Sequence, residues 1–125
     1  MKIVINTPLP TLNEYISAER TNKYIASAMK KKATNRVAII AMSQTREQIA
    51  YKVDIVFTWF APNNKIDHDN IAFAKKFVLD GLVQAKILPN DNVKFVGNFK
   101  DIFGLDKNRS YVCCDIELLP FGTIL

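Results

Sequence analysis

Between Tyr51 and Phe60 apolar side chains fall on every second residue: Tyr51, Val53, Ile55, Phe57 and Trp59 alternate with Lys52, Asp54 and Thr58. Successive strand side chains point to opposite faces, so this spacing is that of a strand with one buried face. Lys2 to Asn6, carrying Ile3, Val4 and Ile5, reads as a shorter buried strand, ended by Pro8 and Pro10 because proline removes a ladder donor. Lys94 to Lys100 and Ser110 to Leu118 read as two more, and Gly104 to Asn108 between them has hairpin-loop composition. Thr11 and Glu14 have the spacing of a capping box that opens a helix. From Asn22 to Gln44 the apolar Ile25, Met29, Val37, Ile40 and Ala41 recur at helical spacing. Thr11 to Gln44 is thus helical, as one bent helix or as two pieces. Asn70 to Lys86 is a further helix, closed by Leu88-Pro89-Asn90. The order strand, helix, strand, helix, strand, strand predicts a single α+β domain over residues 1–125, with a mixed β-sheet packed against two or three helices.

The 125 residues suffice for one domain with a real core and are too few for two ordinary ones. Hydrophobic content of 49% and charged content of 23% exclude a disordered chain. A net charge of +5 favours a polyanionic partner, nucleic acid or an anionic membrane surface. No apolar run approaches the ~20 residues of a membrane span, and the N-terminus lacks a signal-peptide pattern. The only two cysteines, Cys113 and Cys114, are adjacent in a strand-like run, where a disulfide between them would be strained. Reduced thiols in a cytosolic protein are the simpler account.

The residues that carry chemistry are Asp67-His68-Asp69-Asn70, then Lys75-Lys76, then Asp91. Two carboxylates one residue apart suit a hard divalent cation, which takes oxygen ligands. A third carboxylate and a lysine complete an arrangement suited to metal-assisted attack on a phosphodiester. On a wheel of ~100° per residue, Ile71, Val78, Leu82 and Ala85 share one side, with Ala74 and Phe77 at its edge. Asp69, Phe73, Lys76 and Asp80 share the other, which makes Lys76, roughly 10 Å along the helix from Asp69, the lysine of the carboxylate face. Each element also has a plainer reading. Asp69 or Asn70 can be an N-cap, although capping gives no reason for Asp67. Asp91 sits in an Asn-Asp-Asn loop, which is ordinary turn chemistry.

Other metal motifs fit worse. An EF-hand counted from Asp67 would have Ile71 and Ala72 where it needs an acid and a glycine, and Val78 where it needs glutamate. The length hardly provides the nucleotide-binding region of a DxD glycosyltransferase, and one histidine with no spaced cysteine pair argues against zinc. His68 alternates outward between the aspartates and reads as solvent-facing or phosphate-contacting rather than as a general base. Lys30-Lys31-Lys32 reads as phosphate contacts or as a solvated helix face. Tyr51, Phe57 and Trp59 read as core rather than base-stacking residues. Phe73, on the face of Asp69 and Lys76, packs under the site, lines a dimer contact or wedges against DNA bases.

As an ordered set these segments resemble the RusA-like crossover-junction endodeoxyribonucleases, the Holliday junction resolvases common in prophages. The matching text is Thr7-Pro8-Leu9-Pro10 with Asn13 and Tyr15, Asp67-His68-Asp69-Asn70-Ile71, Val78-Leu79-Asp80-Gly81-Leu82, and Asn90-Asp91 followed by Val93. It extends from Ile3 to Leu118. The resemblance implies that Asp67, Asp69 and Asp91 hold Mg²⁺ (or Mn²⁺) and that Lys76 is the catalytic lysine, with Lys75 the alternative. It implies a bacterial or phage-encoded cytoplasmic homodimer whose two sites cut opposed strands of a four-way DNA junction, leaving 5′-phosphates, in recombination and repair. There are two departures. Phe73 stands where the compact form of the family has its lysine, three residues before Lys76, close to one helical turn. The segment before Asp67 is also only weakly basic, with Lys65 alone. Lys23, Lys30, Lys31, Lys32, Arg36 and Lys65 are the expected contacts to the DNA backbone, which position DNA without reading sequence. The competing readings are a non-catalytic nucleic-acid-binding domain with a structural acidic cluster, and a metal-dependent nuclease for another branched or single-stranded DNA.

Overall fold

The computed structural model describes residues 1–124. Its elements run β1 (Lys2–Ile5), α1 (Leu12–Thr21), α2 (Lys23–Gln44), β2 (Val53–Ala61), α3 (His68–Ala72), α4 (Lys75–Gln84), β3 (Val96–Leu105) and β4 (Cys113–Pro120). This is a small α+β domain with a four-stranded mixed sheet in the order β1-β4-β2-β3. β4 is antiparallel to both β1 and β2, whereas β2 and β3 are parallel. Among the described residues no helix is long and apolar enough to cross a membrane.

The alternating run does what its pattern requires. Val53, Ile55, Phe57 and Trp59 are fully buried and join Ile3, Ile5, Ile116 and Leu118 in one core with Val37, Phe77, Val78 and Leu82 of the helices. Tyr51 is not part of it: it lies before β2 and is 55% exposed, so its expected core role is corrected. The capping box is present, with Glu14 N donating to Thr11 Oγ1 and Thr11 N to Glu14 Oε1. The helical stretch that follows is two helices, broken at Asn22, whose extended backbone ends α1 and whose Oδ1 caps α2 through Tyr24 N at 2.7 Å. At the outer edge of β1, Gln44 accepts from Val4 N and donates to Val4 O, doing for this edge strand what a neighbouring strand would do. Cys113 and Cys114 are buried free thiols.

Three further expectations are corrected. Gly104 to Asn108 does not close a hairpin, because β2 lies between β3 and β4. The strands expected over Lys94–Lys100 and Ser110–Leu118 are Val96–Leu105 and Cys113–Pro120. The helix expected over Asn70–Lys86 is two helices joined at Phe73 and Ala74, with i→i−3 bonds from Ala74 N to Ile71 O and from Phe77 N to Ala74 O. The tightened join buries Ala74 and Phe77, which a single regular wheel leaves at the edge of the apolar face.

Asp54, which alternation assigns to the solvent side of β2, is fully buried. Between Val53 and Ile55 the β2–β3 register shifts by one residue, and Asn98 N donates to Asp54 Oδ1 at 2.8 Å. Gly122 N and Ile124 N both donate to Oδ2 at 2.9 Å, which fixes the C-terminal segment over the sheet. Burial pushes this carboxyl up, but the Asn98, Ile124 and Gly122 N–H groups outweigh burial and hold it below the usual aspartate value. A depressed carboxyl contributes stability that is complete above its unfolded-state pKa and lost as pH falls through the folded one. Asp54→Ala is therefore expected to lower the melting temperature at neutral pH, by roughly 5–10 °C given three N–H donors left without an acceptor. The difference from wild type should shrink as pH drops below the ordinary aspartate range. Melts from pH 7 to pH 3 check both statements, and a difference that grows in acid would contradict them.

Candidate active site

Parallel neighbours need a crossover connection, and the one between β2 and β3 is the α3–α4 segment. It carries the acidic motif at its start, both lysines in its middle and Asp91 at its end. Every residue assigned to the chemistry thus belongs to one structural excursion beside the edge strand β3.

Asp67 is the N-cap residue of α3, but its side chain makes no cap hydrogen bond. Among the described residues neither the Asp67 nor the Asp69 carboxylate has a hydrogen-bond or ion-pair partner, and both are exposed. Capping therefore does not explain the pair. Asn70 is occupied differently, since its Oδ1 accepts from Asn13 N at 2.9 Å and ties the start of α1 to α3. Next to that bond, Tyr15 of α1 packs on Phe73 with ring centroids 5.3 Å apart, and Phe73 meets Phe77 edge-on at 5.4 Å. Phe73 is thus a packing residue under the motif, which settles its role within the monomer.

Lys76 and Asp91, fifteen residues apart in sequence, meet with Nζ 3.1 Å from Oδ2. The same ammonium lies 3.1 Å from Asp80 Oδ1, one turn further along α4. Hydrogen bonds to Asp80 and Asp91 raise the Lys76 ammonium above the usual lysine value, so it is a fixed cation at neutral pH rather than a proton acceptor. Lys75 points elsewhere. Its Nζ is 2.8 Å from Asp101 Oδ2 and lies over the rings of Phe99 and Phe57, 4.6 and 5.0 Å from their centroids. Trp59 Nε1 donates to the other Asp101 oxygen at 2.9 Å. Nothing in the sequence singles out Asp101, because the register that brings it to Trp59 is set by β2–β3 pairing and not by local spacing.

Among the described residues no three histidine, cysteine, aspartate or glutamate side chains are gathered closely enough to hold a metal ion. The structure brings Lys76 to Asp91 and keeps Asp67 beside Asp69 at the opening of α3. Lys76 supplies the counter-charge for Asp91. Only Asp67 and Asp69 offer unpartnered, exposed carboxylate oxygens of the kind a hard cation takes, since Asp91 is held by Lys76.

The expected DNA-contacting residues are all exposed, but they do not form one face. Lys32 and Arg36 line a groove of about 530 Å³ with Pro8, Pro10 and Ile66, and Ile66 immediately precedes Asp67. Lys23 and Lys30 border a different hollow beside Tyr15, and Lys31 lies with Lys30 near Asp80 and Gln84. Consecutive helix residues are ~100° apart, which spreads a lysine run around α2. Lys65 stands in the β2–α3 loop, where Asn63 Oδ1 accepts its backbone N–H. Compared with models of known protein families and with curated proteins, the chain matches none.

Proposed function

We propose that this protein is a Mg²⁺- or Mn²⁺-dependent structure-specific endodeoxyribonuclease that resolves four-way DNA junctions as a homodimer, in the cytoplasm of a bacterial or phage-infected cell, during recombination and repair. The observation that carries this reading is the Lys76–Asp91 contact. Two residues that the family resemblance assigns to one site, separated in sequence, meet at 3.1 Å beside the helix pair opened by Asp67 and Asp69. Asp67 and Asp69, free of structural duties, are the first oxygen ligands, and Asp91 is the third. A divalent cation held there supplies charge neutralisation toward a phosphodiester and a more acidic water. Lys76 stabilises the negative charge that develops on the phosphoryl or leaving oxygen. Lys32 and Arg36, in the groove that reaches Ile66, position the DNA backbone on the approach to Asp67, with Lys23, Lys30, Lys31 and Lys65 adding charge around it. A two-fold symmetric junction calls for two sites related by a matching axis, hence the homodimer.

One observation favours a second reading. Asp91 is already paired with Lys76, and among the described residues no three ligands are gathered, which is also what a non-catalytic nucleic-acid-binding domain would show. Incubating the protein with synthetic four-way junctions, flaps and duplexes, in Mg²⁺ and in EDTA, separates the readings. Cleavage of junctions in Mg²⁺ alone is expected. Binding without cleavage in any metal supports the second reading, and cleavage of flaps but not junctions redirects the substrate. Affinity should also fall steeply with salt, with a log–log slope of about −0.9 per phosphate contact over roughly four to six contacts per subunit. A flat salt titration would count against the basic surface.

A further inference from the structure

The imidazole of His68 lies flat against the ring of Phe103, with centroids 3.9 Å apart and planes 4° from parallel. Phe103 stands opposite Trp59 in the β2–β3 register and packs against the core, so the stack has a fixed base. His68 itself is exposed, between the two unpartnered aspartates. One face of the imidazole rests on Phe103, and the residue as a whole stays exposed. An exposed aromatic plane backed by a second ring, one residue away from two unpartnered carboxylates, is a stacking platform for a flat ligand.

We infer that His68, backed by Phe103, stacks on a nucleobase at a DNA branch point next to the scissile phosphate. This rests on the nuclease reading and adds to it the feature of the substrate that this site recognises. In a continuous duplex every base is covered on both faces by its neighbours. Where the branch is held open, so that its arms no longer stack on one another, a base there loses one stacking neighbour, and the imidazole can take the vacant place. Base–aromatic stacking tolerates any sequence because every base has a π-face, so the platform distinguishes branched from continuous DNA without reading bases. His68 and Phe103 are here positioning residues. They fix where the branch lies relative to Asp67, Asp69 and Lys76 and take no part in bond cleavage.

The test uses the full chain in Ca²⁺, which suppresses cleavage, with a synthetic four-way junction and a linear duplex of the same sequence, and with 2-aminopurine as the base at the branch. Wild type should quench the branch fluorophore and prefer the junction. His68→Ala should abolish the quench and weaken junction binding about tenfold, with duplex binding unchanged. His68→Phe, which keeps a flat ring, should retain both, and Phe103→Leu should lose part of each. The platform is overturned if His68→Ala matches wild type, if it weakens junction and duplex equally, or if His68→Phe behaves like His68→Ala. If wild type binds junctions but leaves the branch fluorophore unchanged, the platform alone falls. If wild type binds no DNA at all, the nuclease reading falls with it.

Discussion

Replacing Lys76 with alanine is expected to slow single-turnover cleavage of a four-way junction a hundredfold or more while leaving junction binding in Ca²⁺ nearly intact. A charged donor aimed at the transition state acts on turnover more than on ground-state affinity, and loss of one such donor costs on the order of 3 kcal/mol. The fold should barely register the change. The Lys76 side chain is 56% exposed, and surface ion pairs of this kind contribute about 0–1 kcal/mol. Lys75→Ala should do the reverse. Its side chain is 20% exposed, and its loss removes the ammonium from over the Phe57 and Phe99 rings and leaves the Asp101 carboxylate with the Trp59 N–H as its partner. That variant should melt several degrees lower yet cleave at close to the wild-type rate when folded. A dead Lys75→Ala enzyme beside an active Lys76→Ala enzyme would exchange the two roles. If neither variant is slowed, the lysine assignment fails, though the carboxylates could still bind metal.

Gly81→Ala is expected to destabilise the fold, by about 1–3 kcal/mol. Gly81 lies on α4 where the helix crosses α2, and a Cβ there would stand 2.4 Å from Val37 Cγ1 and 2.6 Å from Val37 Cβ. The contact with Val37 Cβ is the decisive one. No rotamer of Val37 moves its own Cβ, so relief requires the two helices to separate, and the backbone Ala38 N at 3.2 Å adds a second fixed atom on the α2 side. Intrinsic propensity works against this prediction, since alanine is better than glycine inside a helix by about 1 kcal/mol. The sign of the measured change therefore decides which effect wins. A melting temperature lower by roughly 5–10 °C, with unchanged far-ultraviolet dichroism, is the expected result. A neutral or stabilised variant would mean that the helices are further apart than described.

What could be read from sequence was what neighbouring residues decide. The alternation in β2 and the Thr11–Glu14 box are short-range patterns, and both stand in the fold. The break at Phe73–Ala74 has no glycine or proline to announce it. It follows from Phe73 packing on Tyr15 of α1 while Ala74 and Phe77 turn to the core. The misplaced hairpin has the same origin, because turn composition tells where a chain bends and not which strand lies beside it. Asp54 looked like a solvent-facing residue because nothing near it in sequence reveals that residues 122 and 124 return to cover it. Within the candidate site, the order of Asp67, Asp69, Lys76 and Asp91 was visible, but the wheel that set Lys76 beside Asp69 assumed one unbroken helix, and the contacts of Lys76 are with Asp80 and Asp91. The Lys75–Asp101–Trp59 cluster and the His68–Phe103 stack were not, since both depend on the alignment of β3 with β2.

Among the described residues the only strand paired with β1 is β4, so that Ile3 lies opposite Ile116 and Met1 exchanges backbone bonds with Leu118. During synthesis, β1 leaves the ribosome before β4 and waits for its partner. Until β4 emerges, Ile3 and Ile5 have neither their strand nor a finished core, and β2 lacks its neighbour on that side. The parallel β2–β3 pair and its crossover can assemble earlier, which puts the acidic motif and both lysines in place before the sheet is complete. Closing so long a loop is slow, and an unpaired apolar strand invites association with other chains in the meantime. Expression yield in this protein should thus respond sharply to changes in β4, the strand that completes the sheet between β1 and β2.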